Sequence, residues 1–326
     1  MGRDLTLRHW AGVTLLLGLI GAALFFIITA PSVFHAVRGR DEVLPSGFVA
    51  NAERGARLFW AGGCASCHQS PRAAGQAEPS PGLQLGGGLR LNSPFGTFIV
   101  PNLSSHPQDG IGSWSFESFA RAMREGVLPD QRHAFPAFPY TAYQRMTMTD
   151  LADLFAFLKT VPAVSGRQPD HALAFPFHIR RAVGVWKWIY LDGKAFVART
   201  DQSPVWNQGA YLVNALSHCA DCHSPRTILG GIEESRRFAG GPSLEARSSP
   251  DGKTGRVPNL TSSSDGLGAW SVEDIEAFLK SGFTPDFDSV GGSMAEVITN
   301  MGHVSDADRQ AMAVYLKSLP PVPQQP

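Results

Sequence analysis

From Trp10 to Ala30 the chain carries no charged residue, reading WAGVTLLLGLIGAALFFIITA with no polar face. As a helix rising about 1.5 Å per residue, such a stretch reaches roughly 30 Å, the thickness of a bilayer's hydrocarbon core. The pattern predicts one membrane-crossing helix over about residues 10–30, with residues 1–40 as tail and anchor. A secretory signal has a shorter apolar run, about 7–15 residues, and a small-x-small cleavage site. Here Ile28-Thr29-Ala30 runs straight into Pro31, a poor site, so the expectation is an uncleaved anchor. Arg3 and Arg8 precede the run while Arg38 and Arg40 follow it, which leaves the positive-inside rule nearly balanced. Asp41 to Phe48 reads as a short linker.

Beyond the anchor the pattern becomes amphipathic with helical period, and it is written twice. Gly55-Ala56-Arg57-Leu58 returns as Gly209-Ala210-Tyr211-Leu212, and Pro101-Asn102-Leu103 as Pro258-Asn259-Leu260. Gly110 to Ser115 returns as Gly266 to Ser271, and Phe157-Leu158-Lys159-Thr160-Val161-Pro162 as Tyr315-Leu316-Lys317-Ser318-Leu319-Pro320. Each copy predicts a first helix, a long Gly/Pro loop, a middle helix and a last helix. The middle helices are expected over Phe116–Glu125 and Val272–Lys280, opened by Ser115 and Ser271 and closed by Gly126 and Gly282. Glu117 and Glu273 fall in their first turns, where the helix dipole favours acid. The last helices start near Thr149 and Ser305, with apolar spacing at Leu151, Leu154, Phe155 and Leu158 in the first copy. No stretch reads as a strand-rich sheet. The predicted fold is all-α: two tandem domains, over residues 41–165 and 206–320, joined by an aromatic linker over 166–205 and followed by a tail over 321–326. The linker, with Phe175-Pro176-Phe177, Trp186, Trp188 and Tyr190, reads either as packing between the domains or as a docking or membrane-grazing surface.

Acidic and basic residues balance at 28 each, so no basic excess points to nucleic acid. Glycine (34) and proline (24) are frequent enough that much of the chain must be loop, which suits small helical domains wrapped around a large apolar cofactor. The chemistry lies in the cysteines. All 4 fall in two boxes, Cys64-Ala65-Ser66-Cys67-His68 and Cys219-Ala220-Asp221-Cys222-His223. In a C-x-x-C-H box each cysteine forms a thioether with one haem vinyl group, and the adjacent histidine is set beneath the iron. A zinc site would pair its knuckles about 15–20 residues apart, a thioredoxin-like pair would need a βαβ context, and disulfides would not explain the two histidines. Two covalently bound haem c groups are therefore expected, with His68 and His223 as proximal iron ligands. Thioether attachment takes place outside the cytoplasm, which places the domains on the periplasmic side of a bacterial inner membrane.

What fills the sixth iron position separates a carrier from an enzyme. Met146, in a Pro/Tyr-rich loop, is favoured over Met148 and the helical Met123; Met294, after Gly291-Gly292-Ser293, is favoured over Met301 and the helical Met312. His133 and His303 are the alternatives, while His106, His171, His178 and His218 read as surface or hydrogen-bonded histidines. A ligating imidazole usually donates its other N–H to a carbonyl, and a proline stands before Asn-Leu at similar distance after each box, its carbonyl free to accept.

The Pro-Asn-Leu after each C-x-x-C-H resembles the class I cytochrome c pattern. That resemblance implies that Pro101 accepts from His68 and Pro258 from His223. The fuller set is similar to the cytochrome c subunit of bacterial membrane-bound alcohol, aldehyde and gluconate dehydrogenases. It comprises Ser93 to Thr97, Pro101 to Leu103, Gly110 to Ser115, Ala134 to Tyr140, His218 to Arg226 and Met294 to Val297. Members commonly carry three haem domains behind a differently placed anchor, whereas this chain has two boxes and an N-terminal apolar run. The resemblance implies a membrane-anchored dihaem carrier that takes electrons from a periplasmic dehydrogenase or respiratory complex. The acceptor would be quinone, another cytochrome or a terminal oxidase. Its rivals are a dihaem enzyme with one open site, of the peroxidase or thiosulfate-oxidising kind, and a haem-bearing subunit or sensor in a larger complex.

Overall fold

The computed structural model describes residues 2–71, 82–243 and 255–324; the last two residues of the expected tail, and the side chains of Arg3 and Arg8, lie outside what is described. Helix α1 (Gly2–Ile28) takes up the apolar run. Its His9–Ile28 stretch has a mean hydropathy of 2.5 with none of it buried, so it is long and apolar enough to cross a membrane. Thr29 and Pro31 end the helix and start a second, α2 (Pro31–Arg38), whose Phe34 is fully buried.

Helix α3 (Ala52–Ala61) starts where the Asn51 side chain accepts from the Arg54 amide, and it runs into the short helix α4 (Cys64–His68). Strands β1 (Arg90–Ser93) and β2 (Gly96–Ile99) form a tight hairpin, register Ser93 opposite Gly96 and Arg90 opposite Ile99. Helices α5 (Phe116–Glu125), α6 (Tyr140–Tyr143) and α7 (Met148–Leu158) follow. The α5 boundaries match the sequence reading: Ser115 caps the start and Gly126, at φ 58°, closes the end. Helix α7 begins at Met148, one residue before the expected Thr149, because the Thr147 side chain caps it by accepting from the Asp150 amide. Helices α3 and α7 cross at Gly55, where a Cβ would stand 2.0 Å from the Asp153 carbonyl. The buried Asp153 carboxylate holds the crossing, accepting from the Asn51 amide at 2.7 Å and from Arg54.

The linker is more ordered than a connector. Strand β3 (Ala172–Leu173) pairs with β2, and helix α8 (Val183–Tyr190) packs back on α2. The same succession of elements then recurs. Helix α9 (Pro204–Tyr211) continues through a π-helical turn (Leu212–Leu216) to α10 (Cys219–His223). A small ladder of β4 (Gly241–Pro242) and β5 (Arg256–Val257) leads to α11 (Val272–Ser281), α12 (Ser293–Met301) and α13 (Asp306–Lys317). Helices α9 and α13 cross at Gly209, where a Cβ would stand 1.8 Å from the Ala311 carbonyl. Helix α11 opens on a full capping box, in which Ser271 and Asp274 each accept from the other's backbone amide.

The molecule is helix-rich, with small strand pairings beside the helices. The hairpin β1-β2, joined by β3 from the linker, and the pair β4-β5 lie in the loops after the two boxes. Their strands are two to four residues long, too short to leave an alternating pattern, and they serve to pair loop backbone that would otherwise be unsatisfied. One apolar core runs through both halves, with Phe59, Leu151 and Leu158 in the same cluster as Leu216, Met301 and Met312.

Candidate haem sites

Gly63, at φ 64°, turns the chain into α4, and His218, at φ 41°, does the same for α10. One helical turn then carries Cys64, Cys67 and His68 in the first half and Cys219, Cys222 and His223 in the second. The cysteines are in no disulfide. As free thiols Cys64 and Cys219 would stay protonated, because burial and the neighbouring box cysteine push each up to about 12. That disfavours a thiolate nucleophile or zinc knuckle, and no group of three or more His, Cys, Asp or Glu poised for a metal ion exists among the described residues.

The His68 Nδ1 donates to the Pro101 carbonyl at 2.9 Å, and the His223 Nδ1 to the Pro258 carbonyl at 2.8 Å. With Nδ1 held in this way, Nε2 is the nitrogen directed to iron. Burial pushes the His68 imidazole down to about 4, against the opposing pull of the Pro101 carbonyl, and lowers His223 for the same reason. Both therefore stay neutral, the form that ligates. Histidine, cysteines and carbonyl thus fit covalent haem in each half.

Two residue pairs that sequence reasoning missed hold these carbonyls in place. The Gly87 amide donates to the His68 carbonyl at 3.0 Å, and a Cβ on Gly87 would meet the Pro101 oxygen at 2.4 Å. Gly240 repeats the device: its amide donates to the His223 carbonyl at 2.9 Å, and a Cβ would meet the Val257 oxygen at 2.5 Å. Both have positive φ, 67° and 69°. Asn102 and Asn259 lock the turn after each proline, accepting from the Ser104 and Thr261 amides and donating to the Val164 and Val322 carbonyls beyond the last helix of each half. The repeated Pro-Asn-Leu was the available signal for the asparagines, and the pairs Gly87-Gly88 and Gly240-Gly241 the fainter one for the glycines.

The candidate sixth ligands separate clearly. Met146 is 1 % exposed and sits in the core against which Cys64 and Ala65 pack. Met148 is the first residue of α7, and its sulfur accepts from Arg124 Nη1 at 3.0 Å. Met294 lies half-buried in the first turn of α12, outside the apolar core that takes Met301 and Met312. The position equivalent to Met146, one residue before the helix cap, is Val304 in the second half. His133 is fully engaged: Nε2 donates to the Thr29 carbonyl at 2.8 Å while Nδ1 accepts from Lys187 at 3.0 Å. The His303 ring stacks on Trp60 at 3.9 Å. His106 Nδ1 accepts from the Asp109 amide and His171 Nδ1 from the Ile99 amide.

The two boxes face each other. The Gly62 carbonyl accepts from the Tyr143 hydroxyl at 3.1 Å, and the His218 ring packs edge-on against Tyr143 at 5.8 Å. On the other side of the first box the Asn300 amide donates to Ser66.

Two boxes with carbonyl-held histidines define a c-type haem protein. The cytochrome c family profile matches residues 52–162. A dihaem cytochrome c-type protein of Cereibacter sphaeroides is 45 % identical over 86 % of this chain and 90 % of its own length. The cytochrome subunit of fructose dehydrogenase from Gluconobacter japonicus is 36 % identical over 82 % of this chain and 52 % of its own length. The cytochrome c subunit of a quinone-dependent alcohol dehydrogenase from Gluconobacter oxydans is 35 % identical over 80 % of this chain and 53 % of its own length. The chain thus spans about half the length of these two dehydrogenase subunits. It belongs to the dihaem cytochromes of the cytochrome c family, binds two covalent haem c groups and transfers electrons.

Proposed function

We propose that this chain is an inner-membrane electron carrier made of two tandem class I cytochrome c domains, residues 41–165 and 206–320, behind an N-terminal anchor. It would take electrons from a periplasmic or membrane-bound dehydrogenase or respiratory complex and pass them to quinone, another cytochrome or a terminal oxidase. Bound haem supplies an iron that gains and returns one electron. The chain's own residues do the rest. Cys64, Cys67, Cys219 and Cys222 would hold the two haems through thioethers, and His68 and His223 would ligate iron with Pro101 and Pro258 setting their rings. Met146 and Met294 would supply the further ligands, raising the potential and leaving no position for substrate. Met146 is favoured because it is buried in the core on which Cys64 packs, while the Met148 sulfur is occupied by Arg124. For the second half, Met294 is favoured by its place at the start of α12, directly after the Gly291-Gly292 loop.

The observation that carries the reading is the paired His–Pro carbonyl contact, present in both halves at 2.9 and 2.8 Å. The relatives named as cytochrome subunits of fructose and gluconate dehydrogenases favour a dehydrogenase partner, and with it the reading as one subunit of a larger complex. Carbon monoxide binding to the fully reduced protein tests the carrier reading. Two six-coordinate irons bind it slowly or not at all. Immediate binding at one iron would replace the carrier with a dihaem enzyme acting on peroxide, thiosulfate or another small substrate.

A further inference from the structure

The end of α1 is built into the folded body. Thr29 is fully buried, and the chain around it is gripped from helix α8 and from the loop after α5. The Trp188 indole donates to the Ile28 carbonyl at 2.6 Å. Arg181 donates to the Thr29 hydroxyl at 2.8 Å and to the Phe26 carbonyl at 2.5 Å. Gly184 presses on Thr29 so closely that a Cβ would lie 2.8 Å from its Cα. His133 donates to the Thr29 carbonyl at 2.8 Å.

Arg181, Gly184 and Trp188 spread along about 10 Å of chain, yet they converge on Phe26–Thr29, about one helical turn of α1. Helix α8 therefore crosses the end of α1 instead of running along it. If α1 crosses the bilayer, α8 lies in the plane of the membrane surface, at the depth where the apolar span ends. Trp188, of the type that gathers at the membrane–water boundary, sits at the junction itself, while Trp186 and Tyr190 turn inward to the Leu229 carbonyl and the Thr227 hydroxyl; Arg180 and Arg181 lead into the helix. The segment also presents apolar side chains to the outside. Val185 and Ile189 are one turn apart on the same face, Ile189 being 56 % exposed, and Phe177 and Phe175, just before the helix, are 46 % and 79 % exposed. Among the described residues no apolar core covers them.

We infer that the Phe175–Ile189 face beds into the headgroup region of the same bilayer that α1 crosses. The inference rests on the anchor reading, and its occupant is lipid because the face is continuous with the end of the span. The body would then be seated at two places, and its haem domains held at a fixed angle to the membrane.

The test uses the full chain with both haems, kept oxidised, in phospholipid nanodiscs, each access being the difference with and without the collision reagent so that the haem iron's own effect cancels. A spin label is placed on Phe177→Cys, Ile189→Cys or Leu19→Cys, and its access to oxygen and to a water-soluble nickel chelate is compared. All three are exposed positions, and the haem spectrum reports folding of each variant. The expected result is high oxygen and low nickel access at all three. Nickel access at Phe177→Cys and Ile189→Cys with a lipid-shielded Leu19→Cys overturns the face and leaves the anchor. Nickel access at Leu19→Cys overturns the anchor and this inference with it.

Discussion

The Ser217 hydroxyl donates to the Ala61 carbonyl at 2.8 Å, tying the residue two before Cys219 to the residue three before Cys64. Thioethers at those cysteines would bring the two haems near this contact. The Soret circular dichroism of the holoprotein is then expected to show the two-signed couplet of interacting haems. Ser217→Ala combined with Tyr143→Phe removes the hydrogen bond between the halves and the one that holds Tyr143 against His218, and should weaken the couplet while leaving haem content unchanged. A single-signed Soret band in the unmodified protein would place the haems apart.

Substitution of the methionines separates ligand from packing. Met146→Ala is expected to lower one haem's potential and let its ferrous iron bind carbon monoxide, while Met148→Ala leaves both properties unchanged. In the second half Met294→Ala should open the iron. Met301→Ala should instead cost roughly 2–5 kcal/mol of stability, as removal of a fully buried side chain does. Redox titration and carbon monoxide difference spectra check each outcome, and iron opening by Met301→Ala alone would reassign the ligand.

The helix crossings at Gly55 and Gly209 leave no space for a methyl group. Gly55→Ala and Gly209→Ala should each destabilise by about 1–3 kcal/mol, the usual cost of overpacking. Gly291→Ala, where a Cβ would meet nothing within 4 Å, is the control and should be near neutral. Denaturant titration of the holoproteins compares the three.

Stability should depend on His133 in mildly acidic solution. Burial, then the Lys187 ammonium, push its imidazole down to about 4 from 6.5. Between those values the unfolded chain binds a proton that the folded one refuses, so stability falls as pH drops from about 6.5 to about 4. The geometry gives the reason: Nδ1 already accepts from Lys187, and a proton there would face an ammonium at 3.0 Å. Arg180 and Arg181 add to the repulsion. His133→Gln should flatten that part of the profile, measured by thermal melts across this range.

The boxes, the helix caps at Ser115 and Ser271, and the Pro101 and Pro258 acceptors were legible because each rests on a local rule: fixed spacing, a capping side chain, a carbonyl without a competing donor. Gly55 and Gly209 were visible as a repeat, but their reason was not, because each answers to the backbone of a helix far away along the chain. Gly87 and Gly240 show in the sequence only as a repeated Gly-Gly pair, since they answer to a carbonyl brought over them by the fold. The β hairpin at Arg90–Ile99 was too short for its alternation to stand out. The linker's packing was undecidable from its aromatics alone, because their partners are distant in sequence: the end of α1 for Trp188, and Leu229 and Thr227 for Trp186 and Tyr190.

That grip on Thr29 bears on how the chain is processed. A peptidase cutting after Ala30 would take away the carbonyls that His133, Arg181 and Trp188 donate to and uncover the Lys187–His133 pair beneath them. The N-terminal helix is thus a part of the fold as much as an address label. A chain cut there would lose the cover over Gly184 and four hydrogen bonds at once, leaving polar groups of the body without the partners the helix end gives them.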